Sequence, residues 1–219
     1  MKLNNGFPIL YVDVPMVYDN SQGHDPARGG TPYDTMSVRD LCSLRPLIDK
    51  VVVKDSVMLL WAQMPKIPEA LQIMAAWGYK YTCCPFVWLK LQPTGSMELQ
   101  GKDVTLKKGI YSGLGSYSAG NIEVVLMGKR GRGCPRQCKN VKQVVIAPRG
   151  AHSAKPDEVR ERIQRVWGSV PGLELFARPP IRQKNWLKLG LEIDGLDIRE
   201  ALQQLAAGTY KIPKEAEIG

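Results

Sequence analysis

The chain has 219 residues, 44% of them apolar, and a formal net charge of +9. That is enough for one sizeable core and short for two, so a single domain over residues 1–219 is expected and a disordered chain is excluded. No apolar run approaches the roughly 20 residues that span a bilayer. The N-terminus has no long apolar stretch before a small-residue cleavage site, so no membrane association and no secretory leader are expected.

The five cysteines, Cys42, Cys83, Cys84, Cys134 and Cys138, are odd in number and include an adjacent pair. A disulfide framework is not expected, and a reducing cytoplasm fits better. Cys134 and Cys138 are loosely spaced and far in sequence from His24 and His152. Free thiols, and no metal, are the expectation there.

In chain order, Pro8 to Asp13 reads as a short buried strand that ends on an acid and is stopped by Pro15. Residues 19–34 are rich in Gly, Pro, Asp and Asn and read as a loop. Ser37 with Asp40 forms a capping-box-like start, and Leu41, Leu44, Ile48, Val51 and Val52 recur at helical spacing. Val57 to Trp61 is a second buried strand. Pro68 and Glu69 open a helix ending near Gly78, and Lys80 to Leu89 is a third strand. Residues 90–120 show no clear period and read as a long functional loop. Strands follow over Asn121 to Met127 and Lys142 to Ile146. Pro156, Asp157 and Glu158 open a helix with Val159, Ile163, Val166 and Trp167 on its apolar face, ended by Gly168. Leu173 to Ala177 is a last strong strand, and Leu196 to Ala207 a closing helix.

Apolar strands alternating with amphipathic helices imply an α/β fold whose mostly parallel sheet is covered on both faces. Ligands in such folds bind at the carboxyl ends of the strands, where Asp13 and Arg178 both fall. Between Lys129 and Arg149 lie seven basic residues and no Asp or Glu. Lys129, Arg130, Arg132, Arg136 and Lys139 in this block are candidate nucleic-acid contacts that would neutralise backbone phosphates without reading sequence. A solvated loop is the plain alternative.

Seven further segments, in this order, resemble the MT-A70 family of adenine methyltransferases, from about Ile9 to Gly195. They are Thr31 to Ser37; Leu59 to Ala62 with Ala75 to Tyr79; Val87 to Lys90; Gly113 through Glu123 to Gly128; Ser153 to Asp157; Glu174 to Arg178; and Asn185-Trp186 to Gly190. The resemblance implies a Rossmann-like methyltransferase fold of permuted order, with the acceptor motif before the cofactor strand. It implies S-adenosylmethionine as cofactor and a nucleic acid as partner, DNA before RNA. It implies transfer to the exocyclic amino group of adenine, in the cytoplasm of a bacterial cell or phage-infected host. Whether the enzyme acts as a homo- or heterodimer stays open.

The family's acceptor tetrapeptide is usually Asp-Pro-Pro-Trp. Here it is Asp13-Val14-Pro15-Met16. By resemblance, the Asp13 carboxylate and the Val14 carbonyl accept the protons of an amine whose lone pair is otherwise conjugated into the base. Met16 lacks the stacking ring, and Tyr33, or else Tyr18, is the candidate to replace it. Asp13, Ser153, Lys155, Phe176, Arg178 and Glu192 are the implied cofactor contacts. Val14 and Met16 leave two alternatives: the same fold acting on cytosine, a modified pyrimidine or RNA adenine, or a silent nucleic-acid-binding subunit. Trp61, Trp77 and Trp88 read as core, and Glu123 reads equally as a loop-anchoring acid or a strand-edge charge.

Overall fold

A computed structural model describes residues 6–16, 35–100, 103–107, 109–113, 115, 117–150, 154–179 and 185–211. Its centre is a seven-stranded sheet built from β1 (Phe7–Val12), β2 (Val52–Ala62), β3 (Lys80–Leu91), β6 (Ile122–Arg130), β7 (Val144–Pro148), β8 (Gly172–Leu175) and β9 (Trp186–Leu189). The strand order is β7-β3-β6-β2-β1-β8-β9. All neighbouring pairs are parallel except those of β6, which runs against both β2 and β3. The expected mostly parallel α/β sheet is therefore present.

Side chains alternate across each strand, so β1 feeds two cores. Leu10 and Val12 join one core with α1 (Val38–Cys42), α2 (Arg45–Val51), α3 (Ile67–Ala76) and α6 (Ile198–Ala207). Ile9 and Tyr11 join the other, where α4 (Asp157–Trp167) contributes Val159, Ile163 and Trp167. Trp61, Trp77 and Trp88 are all at most 2% exposed, which makes them core residues as expected. Each large apolar side chain so buried contributes about 1.5–3 kcal/mol.

Several element boundaries differ from the sequence reading, each for a local reason. Ser37 does cap α1: its Oγ accepts the Asp40 N–H at 3.1 Å and donates to the Asp40 carboxylate at 2.6 Å. The helix then breaks, because Pro46 sits in the first turn of α2 and has no N–H for the preceding turn. Val52, expected on the helix, already pairs with Phe7 as the first residue of β2. Pro85 falls where β3 slips register against β6 between Cys83 and Phe86, so the missing N–H costs no ladder bond there. Residues 90–120 are not wholly loop. They hold a hairpin, β4 (Ser96–Gln100) and β5 (Asp103–Lys107), in register from Ser96 opposite Lys107 to Gln100 opposite Asp103. No helix among the described residues is long and apolar enough to cross a membrane.

Candidate active site at the carboxyl edge of the sheet

Val12 and Leu175 are the last paired residues of β1 and β8, so Asp13 and Phe176 leave the sheet side by side. Because β6 is antiparallel, its first residues reach the same edge. Glu123 lies opposite Trp88, and Asn121 accepts the Lys90 N–H at 2.8 Å. Lys155 stands just before α4 on this edge, ahead of the capping residue Pro156.

These elements assemble a chain of four alternating charges. Lys155 Nζ donates to Asp13 Oδ2 at 2.7 Å and lies 3.4 Å from Glu123 Oε2. Lys90 Nζ donates to Glu123 Oε1 at 2.6 Å. The Lys155 and Glu123 side chains are 9% and 5% exposed, whereas that of Asp13 is 32% exposed and forms the open end. Burial works against ionising both inner groups, but the neighbouring opposite charges outweigh it. Asp13 and Glu123 thus hold the Lys155 ammonium above its usual range, and Lys155 and Lys90 hold the Glu123 carboxyl below its usual range. Glu123 is accordingly neither a strand-edge charge nor exposed. It is a buried acid shared by two lysines.

The floor beneath this chain is aromatic. Lys155 Nζ sits 5.5 Å from the centre of the Trp61 ring, close enough for a cation–π contact. The Trp61 indole donates to the Tyr11 hydroxyl, and the Arg160 guanidinium lies 5.1 Å over the Tyr11 ring. Arg160 in turn grips the Glu174 carboxylate through Nε and Nη2. Glu174, expected only as part of a cofactor-strand motif, is thus a structural partner of α4. Across the ladder from it, burial pushes the Lys188 amine down to about 8.

The remaining acceptor residues turn tightly away from the edge. Met16 N–H donates to the Val14 carbonyl at 3.0 Å, and Met36 N–H donates to the Pro15 carbonyl at 2.7 Å. A carbonyl oxygen has two lone pairs, so Val14 retains one for a ligand. The Val14 and Met16 side chains are 8% and 5% exposed and belong to the larger core. Met16 is therefore placed as a packing residue rather than an open stacking face. Tyr18, Tyr33 and Ser153 lie outside the described residues.

Phe176, Arg178 and Glu192 continue the edge past β8 and β9. Phe176 has φ +58, a backbone conformation sparsely populated for a bulky side chain and typical of ligand-contacting turns. Arg178 Nε lies 3.6 Å from Glu192 Oε1, and Glu192 is half exposed. Gly190 is required by close approach: a Cβ there would fall 2.5 Å from the Ala177 carbonyl oxygen. The Trp-x-x-x-Gly motif therefore marks where β9 packs onto the turn that carries Phe176.

The basic block sits elsewhere. Arg130 is the last residue of β6, at the opposite edge of the sheet. Arg130 Nη2 is paired with Asp49 at 2.6 Å, and Arg132 Nε with Asp55 at 2.9 Å. Both arginines are thus engaged by the protein itself. Lys129, Arg136 and Lys139 are exposed and form no ion pair among the described residues.

A family model of MT-A70 matches residues 12–192. The chain belongs to the MT-A70 family. It is similar to the type II methyltransferase M.MunI of Mycoplasma sp, 24% identical over 204 residues, which cover 85% of this chain and 78% of that protein. It is also similar to the N(6)-adenosine-methyltransferase MT-A70-like protein of Drosophila melanogaster, 28% identical over 165 residues, 75% of this chain. A third relative is the human N(6)-adenosine-methyltransferase catalytic subunit METTL3, 26% identical over 167 residues, 76% of this chain. The chain spans only about a quarter of these last two proteins, 25% and 26%.

MT-A70 methyltransferases use S-adenosylmethionine as methyl donor. The donor set at the carboxyl edge fits that molecule. Its amino-acid end carries an ammonium and a carboxylate, which complement the Asp13 carboxylate and Lys155 ammonium. Its ribose hydroxyls suit the exposed Glu192 carboxylate. Asp13, Lys155, Phe176, Arg178 and Glu192, all named from the sequence, lie on this edge. Lys90 was not named from the sequence, and its role appears only once β6 is seen to run antiparallel beside β3.

Proposed function

We propose that this MT-A70 methyltransferase transfers a methyl group to the exocyclic amine of adenine in nucleic acid, DNA before RNA. The observation that carries the proposal is the buried Lys90–Glu123–Lys155 chain, which ends on the accessible Asp13 carboxylate at the carboxyl edge. Such an arrangement fixes the Asp13 carboxylate in position without a conformational search. The preference for adenine draws on the N(6)-adenosine-methyltransferase names of the relatives. The preference for DNA draws on the type II methyltransferase M.MunI, 78% of which this chain covers, against about a quarter of the N(6)-adenosine-methyltransferases.

In this proposal the cofactor, when bound, supplies the methyl group. Asp13 and the free lone pair of the Val14 carbonyl accept hydrogen bonds from the two amine N–H groups, which draws the nitrogen lone pair out of conjugation. As nitrogen gains the methyl group and the donor sulfur gives it up, one of the two protons leaves toward Asp13. Lys155 serves the cofactor's carboxylate while holding Asp13. Phe176, Arg178 and Glu192 hold the adenosyl end, and Ser153 shares the role of Lys155. Tyr33 supplies the ring face that Met16 does not.

Purified protein, methyl-labelled cofactor and unmethylated DNA or RNA test the proposal in one reaction. Label should enter adenine, with more in DNA than in RNA. Label in RNA alone contradicts the polymer assignment, and label in cytosine contradicts the base. Cofactor binding without transfer to any polymer indicates the silent subunit instead.

A further inference from the structure

We propose that the flank where the segment before β7 meets the second half of α4 is a second nucleic-acid contact, one that holds a phosphodiester backbone several base pairs from the reacting base. This inference rests on the methyltransferase reading above.

A cleft of about 350 Å³ lies here, lined by Cys138, Asn140, Val141, Lys142, Arg162 and Arg165. Its walls are joined through backbone groups. Gln137 and Cys138 N–H both donate to the Val166 carbonyl, at 2.7 and 3.2 Å. The Trp167 indole donates to the Cys134 carbonyl at 3.1 Å. Arg162 donates to the carbonyls of Lys142 and Val144, at 2.6 and 2.7 Å. The segment is thus fastened to α4 without use of its lysines or of Arg136.

The cations it presents have little to do inside the fold. Arg136, Lys139 and Lys142 are exposed and form no ion pair among the described residues. Arg165 has an exposed side chain and only a distant carboxylate, Glu161 at 3.9 Å. The other acid on this face, Glu158, is already held by Arg162. Four weakly engaged cations on a fixed backbone beside a cleft have the charge and rigidity to hold successive phosphates.

Distance makes this a separate contact. Arg165 is eight residues beyond Asp157, the first residue of α4, which at 1.5 Å per residue places it about 12 Å down the helix. The nucleotide at Asp13 cannot reach that far. A duplex with one base at the carboxyl edge reaches it at least about three to four base pairs away, at 3.4 Å per pair. Arg130 is held by Asp49, and Arg132, though 91% exposed, pairs with Asp55, so this surface is centred on Arg136, Lys139, Lys142 and Arg165.

The test replaces those four residues together, Arg136→Gln, Lys139→Gln, Lys142→Gln and Arg165→Gln. Binding is measured against salt on a duplex of about 30 base pairs and on a single strand of about five nucleotides, each made as DNA and as RNA. On the long duplex that the wild type prefers, the slope of log affinity against log salt should flatten by about three to four, near 0.9 per lost contact. Affinity for the short strand, cofactor binding and the thermal midpoint should not move. An unchanged slope on the long duplex, in a wild type that methylates it, overturns this inference and leaves the methyltransferase reading intact. A wild type that binds neither polymer overturns both.

Discussion

At the scale of single residues, the proposed chemistry rests on Asp13 and the charges that hold it. Asp13→Asn preserves shape but removes the charge that faces the amine. It should lower kcat by about 10²–10³, the usual cost of losing a preorganised transition-state contact, with a smaller change in cofactor affinity. Single-turnover transfer beside cofactor titration separates the two effects, and equal losses in both would place Asp13 on the cofactor instead. Glu123→Gln leaves Lys90 and Lys155 without their shared counter-charge and should destabilise the protein by about 3–5 kcal/mol. The pH dependence has a defined sign. Because the folded Glu123 carboxyl is held low, its contribution is present above the ordinary glutamate range and is lost as pH falls through the folded value. The stability gap between wild type and Glu123→Gln, measured by urea unfolding, should therefore shrink below about pH 4. Asp13 was legible in the sequence because a strand that stops at Pro15 leaves the acid at a carboxyl end. Lys90 was not, because it lies 33 residues from Glu123 and only the antiparallel ladder joins them.

At the scale of elements, the site depends on two close fits. Gly190→Ala would force a methyl group against the Ala177 backbone and displace the Phe176 turn. Cofactor affinity should fall by at least about tenfold, which corresponds to about 1.4 kcal/mol, at little cost to secondary structure by circular dichroism. Arg160→Met strands Glu174 in the core and should cost about 3–5 kcal/mol in denaturant unfolding. The long apolar elements were readable: β6 and α4 fall within a few residues of their expected positions, and β2 contains the expected Val57–Trp61 but begins five residues earlier. The β4–β5 hairpin and the four-residue β9 were not, since strands so short carry too few alternations to stand out. The α1–α2 break was signalled by Pro46 but hidden under an unbroken helical period of Leu41, Leu44 and Ile48.

At the scale of the molecule, the antiparallel β6 divides the tasks between two edges. It brings Glu123 to the carboxyl edge and carries Arg130 to the other, a run of nine residues and about 30 Å. The candidate acceptor and cofactor residues among those described gather at the first edge, while the basic block leads away from the second toward the end of α4. Charge composition pointed to a polyanion, but only topology separates that surface from the reaction centre. Met16, which stands where the family's motif has an aromatic, is a core residue, so in the proposed function the ring face against the base comes from another side chain. The most direct test of the central claim is nucleoside mass spectrometry of DNA and RNA from a methylation-deficient host expressing wild type or Asp13→Ala. The account predicts N6-methyladenine in DNA with the wild type and none with Asp13→Ala. Equal methylation by both proteins, or no new base in either polymer from a folded wild type, would contradict it.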